Sequence, residues 1–178
     1  SSGGDSDFTS IDASLPGFRR AALDWGDFDD DGDLDLLVAG RPADAEGTDT
    51  RIYENDGNLT FSAVGAGLPG VGQRPSVEWG DYDGDGDLDI ALAGRGNFGP
   101  ISRIYRNDGG GKFTRVYTGI EYGSVSLSWG DYDGDGDLDL GIAGTIGTTF
   151  APKSKIYRND GDDTFVSTGA GVPEAGKA

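Results

Sequence analysis

Short apolar segments recur along the chain and predict β-strands. The clearest is the nearly continuous run Leu88–Ala93, and equivalent runs lie at Leu34–Ala39 and Leu138–Ala143. An apolar run of this length, without regular polar alternation, is typical of a strand buried on both faces of its sheet. No segment shows a sustained helical period. We therefore predict an all-β protein.

The predicted strands belong to repeated units. Trp-Gly-Asp begins at Trp25, Trp79 and Trp129, with spacings of 54 and 50 residues. Each copy is followed by the apolar run, then by an Ile-Tyr pair, an Asn-Asp-Gly turn and a Phe. Asn, Asp and Gly tolerate positive φ, so this turn predicts a hairpin. Each unit is thus predicted to contain four strands, of which the first ends at the Trp and the last carries the Phe.

Four-stranded antiparallel units of this length, covered on both faces, are typical of β-propeller blades. We predict three such blades in one unit spanning residues 1–178, with repeats at about residues 18–64, 75–117 and 124–168. Residues 1–6 are interpreted as a linker or the remnant of a tag. A β-sandwich is the alternative, but it does not require near-identical units.

An acidic loop with the pattern Asp-x-Asp-x-Asp-Gly-Asp-Leu-Asp follows each Trp-Gly pair. The side chains at loop positions 1, 3, 5 and 9 are predicted to converge, because the Gly at position 6 permits a sharp turn. Position 7 is expected to contribute its backbone carbonyl. With water, these oxygens match the six to eight that Ca²⁺ takes, whereas Mg²⁺ requires a smaller and stricter octahedron. The predicted metal residues are Asp27, Asp29, Asp31, Asp33, Asp35, Asp81, Asp83, Asp85, Asp87, Asp89, Asp131, Asp133, Asp135, Asp137 and Asp139.

The acidic loops are difficult to explain without a cation, because clustered carboxylates repel one another or take raised pKa values. A solvated acidic turn is the simpler alternative, but the pattern occurs three times with its Gly in place. An EF-hand is excluded, because position 12 holds Val38, Leu92 and Ile142 rather than Glu. An RTX roll has a much shorter period. We therefore predict three Ca²⁺ sites per chain.

The composition restricts both partners and chemistry. The net charge is −18, so nucleic acid and anionic membrane surfaces are expected to be repelled. The chain contains no Cys and no His, which argues against zinc and copper sites and removes the commonest general base. No catalytic constellation is recognised, and we do not expect an enzyme. The sequence has no Met and no signal peptide, which favours a processed or excised segment.

The Trp-Gly-Asp loop and the Leu-Asp-Ile-Ala-Leu-Ala-Gly segment that completes it resemble the FG-GAP/VCBS repeats. The second and third copies, Trp79–Gly94 and Trp129–Gly144, are identical at 13 of 16 positions. The first copy departs at Asp30, where the others have Gly, but that position is not a predicted ligand. The resemblance implies an integrin-α-like, calcium-binding β-propeller with each loop between the first two strands of a blade. We expect a structural or adhesive module, extracellular or at the cell surface.

The segments between the second and third strands differ most between the copies. With the linkers between repeats, they are predicted to form the face opposite the acidic loops, where a protein or a glycan would bind. The residues placed there are Arg19, Arg41, Arg74, Arg95, Phe98, Tyr122 and Phe150. The alternative is that these loops differ in sequence without having any binding role. The three Trp residues are interpreted as wedges between blades rather than as sugar-stacking platforms.

Ring closure is the remaining question, because propellers typically have about four to eight blades and this chain is predicted to have three. We expect two chains to form a six-bladed homodimer; a fragment of a longer propeller is the alternative. Residues 7–11 and 164–167 both resemble a fourth strand, and either could latch across a chain boundary. Alternative functions are a glycan-binding lectin of FG-GAP type, an accessory domain of a secreted enzyme, and an engineered or excised fragment with no natural ligand.

Overall fold

Residues 10–120, 123–146 and 151–169 are described by the structure, a computed structural model. Twelve strands form three sheets, and no helix occurs among these residues. The strands are β1 (Phe18–Gly26), β2 (Asp35–Pro42), β3 (Asp49–Asn55), β4 (Phe61–Val64), β5 (Gln73–Gly80), β6 (Asp89–Gly96), β7 (Gly99–Asn107), β8 (Phe113–Val116), β9 (Gly123–Gly130), β10 (Asp139–Ile146), β11 (Ala151–Asn159) and β12 (Phe165–Ser167). Accordingly, nothing helical in the described ranges could cross a membrane.

Each sheet is a four-stranded antiparallel meander in which neighbours in sequence are neighbours in space. We call the sheets blade 1 (β1–β4), blade 2 (β5–β8) and blade 3 (β9–β12). The all-β class and the β-propeller blades predicted from the repeats are confirmed. The strand at the C-terminal end, β12, pairs with β11 inside blade 3. It is therefore the fourth strand of its own blade rather than a latch.

The N-terminal segment predicted as an extra strand, residues 7–11, is not paired in a blade where the structure describes it. Residues 10 and 11 carry no strand, and the first strand begins at Phe18. Residues 7–9 of the predicted strand and the predicted linker at residues 1–6 lie outside the described residues.

The second strand of blade 2 carries the core because a sheet packs on each of its faces. In blade 2, Ile90 and Leu92 belong to the apolar cluster shared with blade 1, whereas Ala91 and Ala93 belong to the cluster shared with blade 3. All four are fully buried. Alternate residues of a strand point to opposite faces, so the unbroken apolar run serves two interfaces at once.

Aromatic side chains fill the space between adjacent blades. Phe28 of blade 1 stacks on Trp79 of blade 2 with ring centroids 6.0 Å apart. Tyr82 of blade 2 stacks in the same way on Trp129 of blade 3, also at 6.0 Å. The predicted wedge role is confirmed for Trp79 and Trp129, which pack in the clusters between blades. Trp25 differs and is half exposed, because no sheet of the described chain lies on that side of blade 1.

Glycine permits the close approach of the blades. A Cβ added to Gly26 would lie 2.8 Å from Cδ1 of Trp79, and one added to Gly80 would lie 2.6 Å from Cδ1 of Trp129. The Gly of the Trp-Gly-Asp motif is therefore required by the Trp of the following blade, a relation between repeats that the sequence pattern contains but does not explain.

Candidate metal centres and the opposite face

The acidic loops connect the first and second strands of each blade, and all three bring carboxylates together. In each of three sets, one oxygen per residue lies within 4.8 Å of the others. The sets are Asp27, Asp29 and Asp35; Asp81, Asp83 and Asp85; and Asp131, Asp133 and Asp139. Each set contains positions 1 and 3 and one of positions 5 and 9, so no loop groups all four predicted side-chain ligands. Asp31, Asp89 and Asp135 lie outside these sets.

The Asp at position 1 organises the loop as well as facing the cluster. In blade 2, the backbone amides of Gly84, Asp85 and Gly86 donate to the carboxylate of Asp81 at 2.8, 3.1 and 3.1 Å. Asp27 accepts from Asp31 and Gly32 in the same manner. These hydrogen bonds curl the chain around the carboxylate at position 1.

Positive φ angles explain the glycine pattern of the loops. The Gly at position 6 has φ of 102° at Gly86, a left-handed conformation that residues with a Cβ rarely adopt. Position 4 is also left-handed, with φ of 72° at Gly84 and 60° at Asp30. Asp is one of the few non-glycine residues that tolerate this region, so the departure of the first copy preserves the turn.

The Asp at position 9 has a second role that the sequence analysis missed. Asp89 is fully buried, and its two oxygens accept from the amides of Tyr82 at 3.0 Å and Asn107 at 2.8 Å. It thereby joins the start of the acidic loop to the end of β7. Asp35 and Asp139 make the equivalent pair of bonds in their blades. The repeated Asn-Asp-Gly motif, whose Asn supplies the second amide, was the sequence feature that could have indicated this role.

The electrostatics of the clusters favour a bound cation. Burial raises the pKa of Asp89 to about 7, although its two amide donors oppose the shift. Burial and then the charge of Asp85 raise the pKa of Asp83, and burial followed by the charge of Asp31 does the same for the pKa of Asp29. A cation next to these groups would relieve both the desolvation and the mutual repulsion.

Position 7 lies outside the carboxylate sets. This applies to Asp33, Asp87 and Asp137, and the carboxylate of Asp33 instead lies beside Gly57 in the hairpin turn of its blade. That these residues contribute their backbone carbonyls stays a prediction. The remaining donors are oxygens only, which suits a hard cation such as Ca²⁺ rather than zinc or copper.

Comparison with known proteins bears on these loops directly. The model of the FG-GAP-like repeat matches residues 27–92 and again residues 81–142, and each match begins at position 1 of an acidic loop. The chain belongs to the FG-GAP-like repeat family. No curated protein matches the chain.

A solved structure shares the fold of these FG-GAP-like repeats. It is an Agrocybe aegerita lectin described as recognising non-reducing terminal N-acetylglucosamine. The two chains are 22% identical and superpose with a TM-score of 0.51. The match covers 82% of this chain and 37% of the lectin chain, so the chain spans little more than a third of that protein's length.

Clefts formed by described residues lie on the opposite face of the FG-GAP-like blades. Phe98, fully exposed at the β6–β7 turn, borders a cleft of about 330 Å³ that also includes Pro69, Ile101 and Arg103. Arg19, Arg20 and Arg41 line a second cleft of about 370 Å³. The register of β1 with β2 pairs Arg19 with Arg41 and Gly26 with Asp35, which places the arginines at the end of the sheet remote from the acidic loop.

The residues predicted for this face are thus only partly brought together. Arg19 and Arg41 share one cleft and Phe98 borders the other. Arg95 pairs in register with Gln73, the residue before Arg74, at the same end of blade 2. Tyr122 and Phe150 lie outside the described residues.

Proposed function

We propose that the chain is a calcium-dependent β-propeller module with a structural or adhesive role outside the cell or at its surface. The observation that carries the proposal is the set of three carboxylate clusters, one at the same end of each FG-GAP-like blade. Modules in calcium-rich surroundings can use weak sites, with dissociation constants on the order of 10⁻⁴–10⁻³ M. No enzymatic role is proposed.

Calcium would stabilise each blade through the connections of its loop. Position 1 binds the loop amides, and position 9 joins the loop to the hairpin between the third and fourth strands. An ion held by both residues would lock the first hairpin of the blade to the second. Such an ion acts as a structural brace, and the variable opposite face is left available for recognition.

Calorimetric titration with calcium is expected to give three ions per chain, one for each cluster. Asp131→Ala is expected to reduce this number to two, because it removes both a ligand and the acceptor that organises its loop. The matched control is Asp137→Ala, which keeps the backbone carbonyl at position 7 and should still bind three ions. Binding of no ion by the wild-type chain would refute the proposal.

We further propose a glycan as the ligand of the opposite face. The shared fold with a lectin supports this class, and Phe98 offers an exposed ring beside a cleft between the β4–β5 linker and the β6–β7 hairpin. Aromatic rings with a free face stack on the apolar side of a sugar. A protein ligand is the second candidate, favoured by the arginine cleft in a chain of strongly negative charge.

A glycan array probed with the wild-type chain is expected to show saturable binding, and Phe98→Ala is expected to weaken it by about tenfold or more, because a stacking surface is lost. Leu59→Ala is the control, since Leu59 is an exposed apolar residue on the hairpin at the acidic-loop end. Thermal melts should be the same for both variants. An array without any binding would favour the protein ligand or a fragment with no ligand of its own.

A further inference from the structure

Blades 1 and 3 each expose one face that an interior blade would bury. We call Leu23, Trp25, Leu34 and Phe61 of blade 1 the head surface, and Gly130, Tyr132 and Ala143 of blade 3 the tail surface. Each of these residues has equivalents in the other repeats. Those equivalents lie at the two blade interfaces inside the chain, so exposed and buried copies of the same position can be compared.

Three aromatic rings meet at each interior interface. Between blades 1 and 2, Phe28 stacks on Trp79 and contacts Phe113, with centroids 6.0 and 6.2 Å apart. Between blades 2 and 3, Tyr82 stacks on Trp129 at 6.0 Å and contacts Phe165 at 5.6 Å. The preceding blade thus supplies one ring from loop position 2, and the following blade supplies a Trp and a Phe.

The head surface contains the Trp and the Phe without the third ring. Trp25 lies 6.2 Å from Phe61, close to the 6.1 Å between Trp79 and Phe113 inside the chain. Trp25 is 49% exposed, whereas Trp79 is 8% exposed. Leu23 is also exposed, although its counterpart Val77 is buried. The head surface is therefore a preformed aromatic receptor.

The tail surface contains the missing third ring. Tyr132 at loop position 2 is 50% exposed, whereas its counterpart Tyr82 is 1% exposed. Ala143 is exposed where Ala93 is fully buried. No described atom lies within 4 Å of a Cβ built at Gly130, although the same atom at Gly80 would strike Trp129. Gly130 thus leaves room for a Trp that blades 1–3 do not provide.

The head and tail surfaces also have complementary hydrogen-bonding groups. The side-chain amide of Asn107 donates to the carbonyl of Phe28 across the interface at 2.9 Å and to Leu88 in its own blade. The side-chain amide of Asn55, its counterpart on the head side, donates only to the carbonyl of Leu34 among the described residues. The carbonyl of Tyr132 is the corresponding acceptor on the tail side.

We propose that the tail surface of one chain docks on the head surface of a second copy, with Tyr132 stacked on Trp25 and Phe61 of that copy. The contact would continue the interior interfaces and is heterologous, so it closes a ring only at a suitable copy number. Propellers typically have about four to eight blades, and two copies of three blades make six. This inference goes beyond the proposed function and requires neither a particular ion nor a glycan.

Light scattering coupled to size exclusion tests the proposal on the full chain. The wild-type chain of 18.5 kDa is expected to elute with the mass of two chains. Trp25→Glu on the head surface and Gly130→Val on the tail surface are each expected to weaken association by about thirtyfold or more. The first removes a central aromatic contact, and the second fills the space that Trp25 of the other copy would occupy. Phe98→Glu is the matched control at an exposed aromatic on neither surface and should leave the mass unchanged.

Mixing the two variants tests the head-to-tail arrangement itself. Trp25→Glu retains an intact tail and Gly130→Val an intact head, so an equimolar mixture is expected to form a two-chain species that neither forms alone. Far-ultraviolet dichroism of the separate variants should match the wild type. A wild-type mass of one chain at all concentrations, variants that remain paired, or a mixture that does not associate would each overturn the proposal.

Discussion

Calcium at about 10 mM is expected to raise the free energy of unfolding by about 4–8 kcal/mol relative to the same protein in chelator. Each site with a dissociation constant of about 10⁻⁴–10⁻³ M would contribute about 1.4–2.7 kcal/mol by ligand linkage, and the chain has three clusters. In a chain of this size, the increase corresponds to a rise in melting temperature of at least about 8 °C. The effect is large because the carboxylates repel one another when no ion is present.

Thermal melts over a series of calcium concentrations measure this effect, since linkage requires the melting temperature to increase with free calcium. Magnesium at the same concentrations is the control and is expected to stabilise much less, because it keeps its water and its octahedral geometry. Melts that coincide in calcium and in chelator would show that the loops are solvated acidic turns.

Asp89→Ala is expected to lower the free energy of unfolding by about 2–6 kcal/mol even in chelator. The substitution leaves the amides of Tyr82 and Asn107 without their acceptor, and each unsatisfied buried donor costs about 1–3 kcal/mol. In calcium the loss should be greater, since the middle site also loses a ligand. Urea unfolding in chelator and in calcium separates the two contributions.

The control for this prediction is Asp87→Ala, two residues away in the same loop. Its predicted ligand is the backbone carbonyl, which the substitution keeps, and it is not the acceptor of the Tyr82 and Asn107 amides. The change in unfolding free energy should therefore stay within about 0.5 kcal/mol in chelator. If Asp89→Ala were as mild as Asp87→Ala in chelator and harmful only in calcium, position 9 would be a ligand without a bracing role.

The fold was predictable from the sequence because the same pattern occurs three times. A single unbroken apolar run such as Leu88–Ala93 fits either a buried strand or part of a buried helix. Its repetition, with Trp before it and Asn-Asp-Gly after it each time, favours the strand. The loops were predictable for the same reason, since the spacing of acidic residues and the Gly at position 6 define a turn around a cation.

Contacts between repeats were not predictable from the sequence. Asn107 donates to Phe28, which lies 79 residues earlier, and no local periodicity indicates such a pair. The sequence analysis treated Trp25 as equivalent to Trp79, and the difference in exposure arises only from what packs on each side. The clefts of the opposite face are equally non-local, because they combine residues from linkers and turns of low similarity.

The side-chain amides that cross between blades make the three acidic loops unequal. Asn107 and Asn159 each bond to loop position 2 of the preceding blade, so the first and second loops are also parts of the next blade's interface. Such an array behaves as a one-dimensional chain with nearest-neighbour coupling. A cation bound at the first or second loop should therefore affect the next blade, whereas the third loop would be coupled in this way only through a blade docked on the tail surface. Association through the head and tail surfaces would therefore couple the third loop of one copy to the first blade of the other.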